Sequence, residues 1–229
     1  MFSPLTILIA TLGGIIPALI WLAFWLGEDE RRPEPRGRIF ITFLAGMLAV
    51  VVVLPLEHLV QEHIPGGLFT LFLLWAIIEE TLKFVFAYFA GLHNKDCDEP
   101  VDALIYMITA ALGFAALENT LFLLTPIEDG LIGRSIVTGN MRFIGASVLH
   151  TLASGVVGAA MAFSFYRAQR IKRRYVLGGL ILAIALHTYF NFSIIGHTNV
   201  LVVFAYIWVG VILLLMIFEK VKHIRRSRS

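Results

Sequence analysis

Charged side chains are scarce in this sequence: Asp, Glu, Lys and Arg make up 15% of the 229 residues, whereas 59% are hydrophobic. A soluble domain is nearer half apolar, so this composition indicates a membrane protein. The single cysteine, Cys97, excludes an internal disulfide. The net charge of +2 is too small to favour a nucleic-acid partner, and we expect none.

The hydrophobic residues fall into about seven segments, each near the roughly 20 residues that a helix needs to cross a bilayer. Helices are expected because a spanning segment must satisfy its own backbone hydrogen bonds, and the alternating pattern of β-barrel strands is absent. We therefore predict an all-α, polytopic membrane protein that forms one transmembrane domain over 1–229. The predicted spans are 5–26, 38–60, 67–92, 101–125, 141–166, 176–195 and 198–218.

Basic residues alternate between the loops. The stretch RAQRIKRRY is strongly basic, as are the first loop and the C-terminal tail, whereas QEHIPGG and IGHTNV contain no Lys or Arg. Because cytoplasmic loops are the richer in Lys and Arg, the N-terminus is predicted outside and the C-terminus in the cytoplasm. The first segment lacks a basic start and a clear cleavage site, so we expect a span there and not a signal peptide.

One segment, WAIIEETLKF, places Glu79, Glu80 and Lys83 in the middle of a predicted span. A charge at mid-span costs about 2.5–3.5 kcal/mol on translocon scales, so ionisable groups there are functional candidates. Lys83 follows both carboxylates by one helical turn, at i+4 and i+3, and can neutralise either one. This spacing lets a carboxylate stay ionised inside the membrane.

Four predicted spans carry polar residues to a common depth, counted from their predicted outer ends. At a helical rise of 1.5 Å per residue, these residues lie roughly 10–20 Å below the outer boundary. We therefore predict a single site in the outer half of the membrane. Its members are Glu79 and Glu80 on the third span, Glu118 on the fourth, His150 on the fifth and His187 on the sixth.

Two histidines and two or three glutamates suit two hydrolytic mechanisms, and the residues leave both open. In the first, His150, His187 and Glu80 bind Zn²⁺, and a second glutamate acts as general base on the metal-bound water. In the second, a glutamate and a histidine activate water directly, while Asn191 or His187 stabilises the oxyanion. Either mechanism hydrolyses a carbonyl group, most simply a peptide bond in a membrane-anchored protein.

Other interpretations of the polar residues fit less well. The stretch from Glu57 to His63 has the wrong order for HExxH and is interpreted as a solvated helix end. Ser154 in LASG suits a rhomboid-type serine with His187 as base, but the glycine two residues before the serine is missing. The non-catalytic alternative is a transporter or membrane sensor scaffold that uses a buried Glu–His relay. Continuous spans without a visible repeat favour the hydrolase.

Several motifs, in order along the chain, resemble those of the PrsW family of intramembrane proteases. EETLK resembles the family's EExxK, GFAALEN its GFAxxEN, and HTYFN its HxxxD/N motif. The segment from Arg142 to Gly158, the first loop with Glu34, and Asp102 also resemble family features. The resemblance covers residues 28 to 192, and the family is more distantly similar to the CAAX-protease and abortive-infection membrane proteins.

This resemblance implies a bacterial-type protease of the cell membrane, of glutamic or metallo type, with Zn²⁺ as the candidate cofactor. The family's best-known role is site-1 cleavage of a membrane-spanning anti-sigma factor on the outer side, in regulated intramembrane proteolysis. The candidate catalytic residues are Glu79, Glu80, His150, His187, Glu118 and Asn191, with His150, His187 and Glu80 as candidate metal ligands. The supporting residues are Lys83, Asn119 and Arg142.

Overall fold

A computed structural model of the chain describes residues 2–29, 32–195 and 200–225, except for the side chains of residues 132, 134, 138–140, 142, 143, 195 and 200. Within this part the protein is 86% helical and has no strands. The helices are α1 (Pro4–Gly27), α2 (Arg36–His63), α3 (Leu68–Ala87), α4 (Pro100–Glu128), α5 (Ile132–Met141), α6 (Ser147–Phe163), α7 (Gln169–Ile195) and α8 (Val200–Lys222). Two π-helical turns, Tyr88–Leu92 and Arg142–Ala146, follow α3 and precede α6.

Six helical segments of the described part are long and apolar enough to cross a membrane. They are α1, α2, α4, the segment Ile144–Phe163, α7 and α8, and they confirm the predicted all-α polytopic class. Helix α3 is not among these six, because its three charged residues lie close together within its 20 residues and leave no long uncharged segment. It still packs against α2 and α7 inside the bundle. The predicted orientation of the termini and the single-domain organisation stay predictions.

Helix α4 is the central element of the bundle and packs against α1, α2 and α6. In the most apolar segment of α4, 94% of the residues are buried, compared with 22% in the corresponding segment of α1. Glycines bring α2 and α4 into backbone contact. A Cβ added at Gly46 would lie 2.0 Å from the carbonyl oxygen of Ala110, and one added at Gly113 would lie 2.0 Å from that of Phe43. Small residues of this kind allow membrane helices to approach closely.

Gly46→Ala is therefore expected to destabilise the protein by about 1–3 kcal/mol or more, because neither backbone can yield to the added methyl group. Gly37→Ala is the matched control on the same helix, since a Cβ there meets nothing within 4 Å. We expect the control to change stability by less than about 0.5 kcal/mol. Unfolding in detergent micelles measures both, and equal stabilities would contradict the close helix contact.

The region between α4 and α6 differs from the sequence-based expectation. A loop was expected before the fifth span, but residues Ile132–Met141 form α5 and the π turn Arg142–Ala146 joins it to α6. Hydropathy missed α5 because glycines and polar residues dominate it, whereas helical hydrogen bonds do not require apolar side chains. The π turn directly precedes the part of α6 that carries His150, and π turns are frequent at functional sites.

Candidate functional site

Helices α3, α6 and α7 bring five ionisable side chains together in the interior of the bundle. Each is almost fully buried, with 0–4% of its surface exposed. Within the described part, the structure therefore unites residues that lie up to 108 positions apart in the sequence. The five are Glu79, Glu80 and Lys83 from α3, His150 from α6 and His187 from α7.

Glu80 is the carboxylate at which two of these groups meet. The ammonium of Lys83, one turn later on α3, forms a buried ion pair with Glu80 Oε1. On the other side, His187 Nδ1 lies 2.7 Å from the same oxygen and donates its proton to it. The donation leaves His187 Nε2 with a lone pair. Glu80 therefore fixes the tautomer and the orientation of His187.

His150 is oriented by a second set of contacts. Its Nδ1 lies 2.9 Å from Lys83 Nζ, and an ammonium only donates, so Nδ1 accepts. The ring proton is then on Nε2, which lies 3.0 Å from Glu118 Oε2. Phe114 covers this pair, with its ring centroid 4.8 Å from Lys83 Nζ and 5.2 Å from the His150 ring. A chain of contacts therefore runs from Glu80 through Lys83 and His150 to Glu118.

Glu79 is placed between the two imidazoles and keeps unused hydrogen-bonding capacity. Its Oε2 lies 3.9 Å from His150 Nδ1 and 3.9 Å from Lys83 Nζ, and its Oε1 lies 3.9 Å from His187 Nε2. Oε2 is buried and has no hydrogen-bond partner among the described residues. Of the two adjacent glutamates, Glu79 is the one that faces both histidines.

The residues that could hold a metal ion here are Glu79, His150 and His187, whose ligand atoms lie within 4.8 Å of one another. Two imidazoles and one carboxylate match the donor set of catalytic zinc sites. The free Oε2 of Glu79 and the lone pair of His187 Nε2 fit such an ion, whereas His150 would have to give up the hydrogen bond between its Nδ1 and Lys83. Glu80 was expected from the sequence as the carboxylate ligand; in the structure Glu80 instead contacts the opposite nitrogen of His187.

Glu57 is a further residue of the site, although its position in the sequence suggested a solvated helix end. The carboxyl of Glu57 is half-buried and lies within hydrogen-bonding reach of Glu79. A helical pattern could have revealed it, because Glu57 continues the buried face of Val50 and Val53 on α2. The neighbouring pair of His58 and Glu62 is exposed and matches the expected solvated end.

The remaining candidates hold more peripheral positions. Asn119 donates to Ser147 Oγ at 3.0 Å and so links α4 to the start of α6. Asn191 is half-buried, one turn after His187, and no hydrogen bond joins it to a described residue. The side chain of Arg142 lies outside the described residues. Ser154 Oγ has no hydrogen-bond partner in the described part, so the structure does not pair it with His187.

Comparison with known proteins agrees with this geometry. Residues 34–218 match the family described as PrsW family intramembrane metalloprotease. The chain belongs to this family. Its members are proteases, so the chain is an intramembrane endopeptidase and a multi-pass membrane protein, which in bacteria means the cell membrane. The matched range contains every candidate site residue named above.

Three relatives show how far the similarity extends, each named Protease PrsW. The protein of Geobacillus kaustophilus is 28% identical over 188 residues, covering 80% of this chain and 78% of the relative. That of Shouchella clausii is 28% identical over 222 residues, covering 94% and 96%. That of Bacillus subtilis is 24% identical over 207 residues, covering 90% and 88%. No solved structure matches the chain at a significant level.

Proposed function

We propose that the cluster of Glu79, Glu80, His150 and His187 hydrolyses a peptide bond in a membrane-anchored protein, near the outer face of the membrane. The observation that carries this proposal is Glu79, a buried carboxylate with a free oxygen, between two oriented imidazoles. Burial of so many ionisable groups among apolar helices costs free energy, and such groups in membranes are usually functional.

The proposed substrate is a protein with a single span and a segment outside the cytoplasm, in particular an anti-sigma factor cleaved at site 1. The predicted topology supports cleavage on the outer side, because the basic loops lie at the opposite end of the spans. The anti-sigma factor is proposed from the resemblance of the motifs to the PrsW family.

The contacts support distinct roles for the residues on α3. Glu79 acts as the general base that takes a proton from the attacking water, because its Oε2 is free to accept one. Glu80 positions His187 through Nδ1 and leaves Nε2 facing the reaction. Lys83 keeps Glu80 ionised by pairing with it, and donates to His150 Nδ1 so that the His150 proton stays on Nε2.

The residues on the other helices complete the proposed mechanism. Glu118 accepts a hydrogen bond from Nε2 of His150 and has 19% of its side chain exposed, compared with 6% or less for the five ionisable groups of α3, α6 and α7. This exposure marks the side from which water enters. Asn191, one turn after His187, is proposed as a polariser of the scissile carbonyl. Glu57, within hydrogen-bonding reach of Glu79, supports the protonated Glu79 until Glu79 delivers this proton to the nitrogen of the leaving amine.

Zn²⁺ is the proposed metal of an alternative form of the site, in which Glu79, His150 and His187 would hold the ion and Glu79 would be a ligand and not the base. When bound, the ion supplies an acidified water and a polarised carbonyl group. In this form we expect about one zinc per chain in purified protein, and loss of that zinc in His187→Ala. His63→Ala is the matched control, since His63 is an exposed histidine at the end of α2. Active protein without bound metal would instead favour water activation by Glu79 alone.

Glu57→Gln is expected to slow cleavage by about 10–100-fold, because it removes a carboxyl that supports Glu79 without touching the histidines. The initial rate of cleavage in reconstituted vesicles measures this effect. Glu62→Gln replaces an exposed glutamate five residues further along α2 and should leave the rate unchanged. Equal rates for the two variants would exclude Glu57 from the site.

A further inference from the structure

A second group of carboxylates lies at the opposite end of the bundle from the candidate active site. Asp29 follows α1, Glu34 precedes α2, and Asp102 lies in the first turn of α4. On α4, 16 residues separate Asp102 from Glu118, which corresponds to about 24 Å along a helix. The group is therefore separate from the proposed protease site, and a role for it does not depend on that proposal.

These three carboxylates are buried and close together. Asp29 is 5% exposed, Glu34 9% and Asp102 0%. Each offers one oxygen, and these oxygens lie within 4.8 Å of one another. Glu34 accepts a hydrogen bond from the hydroxyl of Tyr106, which is itself fully buried. Mutual repulsion and burial both oppose the ionised state of such a group.

The hydrogen bonds of the group leave oxygens without donors. Asp102 Oδ2 accepts the backbone amides of Asp98 at 2.8 Å and Glu99 at 2.7 Å, and so caps α4. Its Oδ1 is buried and has no partner among the described residues. Asp29 is the second case, because its Oδ2 is buried and none of the described residues donates to it. Helix capping therefore accounts for the burial of Asp102 Oδ2, but not for the burial of Asp102 Oδ1 and Asp29 Oδ2.

Lys222, a cation near Asp29, is engaged by other carboxylates. Its Nζ lies 3.0 Å from Glu28 Oε2 and 2.6 Å from Glu219 Oε1. Burial, and after it the charges of Glu99 and Glu34, raise the pKa of Asp29 from 3.8 to about 7. Ionisation of the group is therefore poorly compensated, which costs free energy unless a proton shared between Glu34 and Asp102, or a positive ion, joins it.

We infer that Asp29, Glu34 and Asp102 form a binding site for a hard divalent cation of the Mg²⁺ and Ca²⁺ class. The donors are oxygens alone, which these ions prefer, and no imidazole or thiolate that would favour zinc is among them. A cavity of about 780 Å³ adjoins the group at the polar end of the bundle, and its lining includes both Asp29 and Glu99 and the basic residues Arg32, Lys222 and Arg225. A bound cation would tie the α1–α2 loop to the start of α4.

Terbium luminescence tests the site, since Tb³⁺ replaces hard cations and the aromatic ring of Tyr106, whose hydroxyl donates to Glu34, would sensitise its emission. Full-length protein in detergent should show one saturable signal that Mg²⁺ or Ca²⁺ displaces. Asp29→Asn should weaken Tb³⁺ binding by at least about tenfold, because the site loses a charged ligand. Glu28→Gln, a neighbouring carboxylate paired with Lys222, should bind like the wild type.

Two further measurements keep the test decisive. The signal should persist in Glu79→Gln, which removes a carboxylate of the proposed active site only. Without added cation, Asp29→Asn should unfold at a higher temperature than the wild type, because it removes an uncompensated buried charge. Addition of Mg²⁺ or Ca²⁺ should raise the unfolding temperature of the wild type but not that of the variant. Absence of a saturable wild-type signal, or equal Tb³⁺ affinity in Asp29→Asn and the wild type, would overturn the inference.

Discussion

Replacement of Glu79 by Gln is expected to abolish cleavage and to leave the fold intact. Gln has the same shape, and the Oε2 that it changes has no hydrogen-bond partner among the described residues, so little packing is lost. The proposed base is lost completely, and removal of a general base lowers rates by about 10²–10⁴-fold. Cleavage of a membrane-anchored substrate by purified protein measures the rate, and thermal unfolding verifies the fold.

Two comparisons make the Glu79→Gln result specific. Glu62→Gln, on the exposed end of α2, should keep the wild-type rate. Glu80→Gln should lose both activity and stability, because Glu80 pairs with Lys83 and His187. A Glu79→Gln variant that still cleaves within about threefold of the wild-type rate, far less than loss of a general base allows, would assign the base elsewhere.

Replacement of Lys83 by Met is expected to have the largest effect on stability. Lys83 is fully buried, and Met has similar length and no charge. Removing one partner of a buried ion pair typically costs about 3–5 kcal/mol, because the other charge stays buried without compensation. Here the change removes the cation that pairs with Glu80 and also leaves His150 Nδ1 without its donor. Unfolding free energies in mixed micelles measure the loss.

A double variant separates the ion pair from simple packing. Glu80→Gln combined with Lys83→Met removes both charges, so it should be more stable than Lys83→Met alone, although still inactive. A coupling energy of about 0.5–3 kcal/mol is usual for residues in direct contact. If the double variant were as unstable as the sum of the two single variants, the buried pair would not be the source of the effect.

Helical periodicity and hydropathy predicted most of the fold and most of the candidate site. The apolar segments predict helices because a membrane leaves the backbone few alternatives. Glu79 and Glu80 could not be told apart, since adjacent helical residues lie 100° apart and both could face a partner. The structure separates them by their contacts: Glu80 holds Lys83 and His187, whereas Glu79 lies between the imidazoles.

Other features depend on packing that a single sequence does not reveal. Glu57 joins the site because α2 packs against both α3 and α4, which decides which face of its last turns is buried. The carboxylates of Asp29, Glu34 and Asp102 come together across 73 positions of sequence. Their convergence follows from the way α1 and α2 pack against α4, and residue spacing along one helix carries no signal of it.

The most direct test of peptide-bond hydrolysis at Glu79 compares new N-termini in the membrane proteomes of cells that express the wild type, Glu79→Gln or Glu62→Gln at matched levels. We predict fragments cut in segments outside the cytoplasm, close to single spans, in the wild type and in Glu62→Gln. These fragments should be absent in Glu79→Gln and would identify the substrate. Identical sets of N-termini in all three strains, with folded and abundant protein, would contradict hydrolysis at Glu79 and favour a non-catalytic relay.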